Sequence, residues 1–150
     1  MRRYCRWDRY GSQIGVMPVP KIILSNIMER AISVAKQDGI RDIDNYRDQI
    51  INEAAKSAFD LIKDSVLFMK HSYNLWTVLA VLQEYMRVSN INSDHRIESG
   101  GRHVFVIQHD LGENWSLFTK ELLSLIFENL ANVRAGVDIT PNFAIAKIAL

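Results

Sequence analysis

The apolar residues of this chain change their spacing near residue 90, and that change constrains the fold more than any other feature. As far as Met86 they return every three or four positions, the period of an amphipathic helix. From Arg96 to His109 they cluster around the pair Gly100-Gly101, the pattern of strand, tight turn and strand. The helical period resumes at Trp115. Three helices, a hairpin, a long helix and a terminal strand element make an α+β layout. The expected architecture is about four helices packed on a small, mainly antiparallel sheet, built from a hairpin near 96–109 and a C-terminal strand.

The first helix is expected over Lys21–Asp38, with Leu24, Ile27, Met28, Ala31, Ile32 and Ala35 as its stripe and Gly39 as a left-handed stop. The second begins after Asp42 or Asp44, either of which can accept the free amides of a first turn. Its stripe runs through Tyr46, Ile50, Ala54, Ala58, Leu61, Ile62 and Met69. The third, capped by Ser72, carries Leu75, Trp76, Leu79, Leu82, Tyr85 and Met86. It is apolar almost all round from Trp76 to Leu82, so it should be the most buried helix. Asn90–Asp94 reads as a polar connection, and Val104–Ile107 as a strand covered on both faces. The fourth helix follows over Glu113–Asn132, with Trp115, Phe118, Leu122, Leu125, Ile126 and Leu130 on its stripe. Asp110 or Asn114 is expected to cap it, and Gly112 to ease the bend into it. Val137–Thr140 and Phe143–Ile148, parted by Pro141-Asn142, form a closing hairpin or one more strand.

Composition excludes several classes. At 150 residues, 48% hydrophobic and 23% charged, the chain can bury a core without disulfide or metal. The net charge of +1 argues against a surface made to coat nucleic acid. The sole cysteine, Cys5, points to a reducing compartment. The most apolar run, Leu75–Leu82, is far shorter than the roughly 18–20 residues a membrane helix needs. Residues 1–16 read as a flexible basic extension, with Met17 as an alternative start, and 17–150 as one α+β domain. The expected location is cytoplasmic.

Three groups of residues could carry function. His109, Asp110 and Glu113 stand where a strand meets a helix, and an imidazole with two carboxylates suits a divalent metal. The alternative is that Asp110 caps the helix, Glu113 complements its dipole, and His109 and His103 lie on a solvated strand face. His109-Asp110 matches the doublet of metal-dependent phosphohydrolases, but those enzymes place it on a helix, and here it follows a strand. Trp76, Tyr85, Phe105, Trp115 and Phe118 could line a pocket for a small apolar ligand or simply pack the core. Arg2, Arg3, Arg6 and Arg9, interleaved with Tyr4, Trp7 and Tyr10, could clamp phosphates and stack bases. No phosphate loop, dinucleotide fingerprint or nucleophile elbow is present in the sequence.

The leading reading is a non-catalytic regulatory module that senses a ligand or contacts a protein partner. It would act as a homodimer, using a second apolar edge on long helices such as Asp44–Met69, and no cofactor is expected. The rivals are a metal-dependent enzyme built on His109, Asp110 and Glu113, and nucleic-acid binding through the N-terminal arginines.

Overall fold

The computed structural model describes residues 20–149. Arg2, Arg3, Arg6, Arg9 and the expected basic extension lie outside them. Four helices come in the order α1 (Lys21–Gln37), α2 (Ile43–Lys70), α3 (Leu75–Val88) and α4 (Glu113–Leu130). Strands β1 (Asn92–Ile97) and β2 (His103–Gln108) precede α4, and β3 (Ala135–Thr140) and β4 (Phe143–Ile148) follow it. The strands form one antiparallel sheet in the order β1-β2-β4-β3, so the fold is α+β with two hairpins side by side.

Register places alternate residues in layers across the sheet. His95, Phe105, Ala146 and Val137 form one row of facing positions, and Ser93, Ile107, Ala144 and Ile139 form the next. Ile97, His103, Ile148 and Ala135 complete the same face. Phe105, Ala144, Ala146 and Ile148 are fully buried there against Val66, Val78, Leu79, Ile126 and Phe127 of the helices. The two alanines of β4 leave room for large helix side chains to reach the sheet, as close packing requires.

The helix ends follow local chemistry. Gly39 takes φ 77° and stops α1. Asp42 accepts from the Asn45 amide and starts α2. Asn74, not Ser72, caps α3, in a reciprocal box with Thr77. Neither Asp110 nor Asn114 caps α4: Gly112 occupies the cap position at φ 86°, and both polar side chains bond elsewhere.

Three further expectations are corrected. The buried side of α2 is Ile51, Ala55, Ile62, Ser65 and Val66, rotated from the predicted stripe, and Tyr46, Ile50 and Ala54 are only half-buried. Small residues explain it, because Ala55 and Ser65 admit close approach of neighbouring helices without announcing themselves by hydrophobicity. Trp76 is 58% exposed, although α3 does bury Leu75, Val78, Leu79, Val81, Leu82 and Met86. Finally, Asn92–Asp94 is strand rather than connection. β1 is an edge strand, where polar residues are tolerated and apolar alternation is lost.

Candidate functional site

The glycine bend between β2 and α4 separates the three residues that sequence places together. His109 continues the inward face of β2 and is 4% exposed, which corrects the expectation of a solvated strand end. Its Nδ1 accepts from the Leu111 amide at 3.3 Å, so the proton resides on Nε2. Nε2 donates to Ser116 Oγ at 3.0 Å, and Ser116 in turn donates to the carbonyl of Thr140. The His109 amide also donates to the Asn142 carbonyl at 2.8 Å. This relay ties the end of β2 to the first turn of α4 and to the β3–β4 turn. Burial lowers the His109 pKa; Asp110 opposes that shift and Lys21 adds to it.

Asp110 points outward, 2.8 Å from Lys21 Nζ on α1, and that hydrogen bond holds its carboxyl below the usual range. Glu113 is exposed in the first turn of α4. Among the described residues no three His, Cys, Asp or Glu side chains converge on a point that a metal ion could occupy.

At the other end of β2 two histidines pair, with no apolar period in the sequence to mark them. His95 Nε2 and His103 Nδ1 are 3.0 Å apart, with Trp76 of α3 over them. The indole meets His103 edge to face at 5.0 Å and His95 at 6.3 Å between ring centres. His103 is 2% exposed. The signal available in sequence was parity: in a hairpin turning on Gly100-Gly101, residues 95 and 103 fall on one face as diagonal neighbours.

The five candidate aromatics have different surroundings. Phe105 lies in the core, Trp76 covers the histidine pair, and Tyr85 is half-buried beside the core, where burial raises its hydroxyl pKa. Trp115 and Phe118 are half-buried on α4, ring centres 5.0 Å apart.

The most unusual surface belongs to α1, which is attached to the domain by a narrow seam of mixed polar and apolar contacts. Ser25 Oγ donates to the Leu111 carbonyl at 2.8 Å, Glu29 accepts from Asn114 at 2.8 Å, and Lys21 pairs with Asp110. Only Ser25, Met28 and Ala35 are buried along it. Ile23, Ile27 and Val34 are exposed by 44%, 61% and 37%, and with Asn26, Arg30 and Ala31 they line a shallow, open depression. Leu24 and Ile27, assigned to the inward stripe by periodicity, therefore stand outside. Six of the eleven large apolar residues exposed among the described residues are on α1 or at Ile40 just after it.

The chain matches no protein-family model, no curated protein and no solved structure. Among the described residues no helix is long and apolar enough to cross a membrane.

Proposed function

We propose that this protein is a non-catalytic interaction module that pairs with a second copy of itself through the outward face of α1. The observation that carries the reading is the unequal use of that helix, which buries only Ser25, Met28 and Ala35 against its own domain and leaves the larger Ile23, Ile27 and Val34 outward. Positions 23, 27, 31 and 34 follow a helical period, so the strip is continuous and matches the ridge of another helix. A second copy offers the same strip, and a two-fold axis makes one patch self-complementary. Asn26 and Arg30 at its border supply the polar rim that such contacts have.

The depression is open rather than enclosed, which favours a protein surface over a small apolar ligand, since ligand sites bury most of what they hold. The divergence of His109, Asp110 and Glu113 supports the non-catalytic side of the reading.

Light scattering at millimolar concentration tests the pairing. The parent chain should show about twice the chain mass. Ile27→Glu should show a single chain with the same helical signal by circular dichroism, because Ile27 makes little contact with its own domain. A parent that stays monomeric over the whole concentration range contradicts the proposal.

A further inference from the structure

His95 and His103 are joined in a way that limits how many protons they hold. Their ring planes differ by 14° and their centres are 5.2 Å apart. That separation is nearly the largest that a 3.0 Å N···N contact allows, one ring radius being added at each side. The rings therefore lie edge to edge in almost one plane, with the two nitrogens aimed at each other. One proton occupies the line between them, donated by one ring and accepted by the other. A first additional proton can go to the outer nitrogen of the donor ring, which leaves the bridge intact. A second must go to the accepting nitrogen itself. Two N–H groups would then face each other across 3.0 Å on two positively charged rings, and the contact cannot survive.

We infer that the His95–His103 pair is a proton-counting latch between β1 and β2, set under Trp76 of α3, that a second proton opens. Trp76 faces it from α3, Phe105 stands opposite His95, and Ile97 and Ile148 stand opposite His103. The carboxylate acting on His95 is Asp94 of the same strand. Burial and the neighbouring His103 lower the His95 pKa, and Asp94 opposes them.

The sign follows from linkage. The unfolded chain takes up its histidine protons near pH 6.5, whereas folded His95 resists until lower pH. Its contribution to stability is complete above about 6.5 and is lost as pH falls from there through the lowered folded value. An opening latch thus acts on the acidic side only.

Nitrogen-15 NMR of the imidazoles in the full chain tests this, with His71 and His109 as internal references. The pair should show a bridging proton at neutral pH, retain it through one protonation, and lose it at a second, more acidic step. The Trp76 indole resonance should move with that second step. His95→Gln, whose amide can still donate to His103 Nδ1, should fold at neutral pH and lose both the two-step titration and the acid response of Trp76. His103→Asn, with its amide in the Nδ1 position, should do the same. Independent titration of the two rings, a missing bridging proton, or a Trp76 signal unmoved through the second step would each overturn the inference. Displacement of the bridging proton by stoichiometric zinc at neutral pH would overturn it as well.

Discussion

Helices α1 and α4 are of nearly equal length, 17 and 18 residues, and both carry an apolar period, yet the fold uses them differently. α4 lies between α2 and the β3–β4 half of the sheet and buries Ser116, Thr119, Leu122, Leu123, Ile126, Phe127 and Leu130. α1 rests on α2 and α4 by one edge and leaves Ile23, Ile27 and Val34 in solvent. Periodicity in sequence establishes that a stripe exists. What covers the stripe depends on how many elements surround the helix, and α1 sits on the outside of the arrangement. The polar contacts of Ser25, Glu29 and Lys21 hold it there at an angle that turns its larger apolar residues outward.

The contrast can be broken most forcefully from the α4 side. Phe127 is fully buried in the core, so Phe127→Ala should cost about 3–5 kcal/mol in chemical denaturation, the usual result of emptying an aromatic site. A loss near zero would mean that α4 does not organise the core. A smaller effect is expected at Ser116. Ser116→Ala leaves the buried His109 Nε2–H without its acceptor, which should cost about 1–3 kcal/mol. Unchanged stability in that variant would remove the relay as the reason α4 starts where it does.

Much of the layout was legible because glycine and the hydrophobic period carry it. Gly100 and Gly101 adopt φ of 84° and 77° in the hairpin turn, a conformation that other residues seldom take, so the turn could be placed from the pair alone. The sequence admits either a hairpin or one strand at the C-terminus, and Pro141-Asn142 is the turn of the β3–β4 hairpin. The buried face of α2 was misplaced because Ala55 and Ser65 are small, and close helix packing is invisible to a hydrophobicity pattern.

The candidate site residues are less legible in sequence than the fold. Ser116 looked like any serine on a helix, and only the bend at Gly112 brings it under His109. His95 had no apolar period to flag it. It gains meaning once the register pairs it with Phe105 and sets it diagonal to His103. Trp76 reads equally as pocket lining or core, because α3 is apolar nearly all round and the helical period has no power to choose a face.

The smallest expected change in stability is also the most direct test of the α1 interface. Ile27→Ala should alter monomer stability by no more than about 0.5 kcal/mol, since the residue is 61% exposed. Its effect should fall on association. In a dilution series from millimolar to micromolar followed by amide NMR, the signals of Ile23, Ile27, Ala31 and Val34 should move with concentration in the parent, while those of His109 and Ser116 stay fixed. The same α1 signals should be concentration-independent in Ile27→Ala. Parent α1 signals that never move, or movement centred on another surface, would contradict the assignment of this helix as the contact between copies.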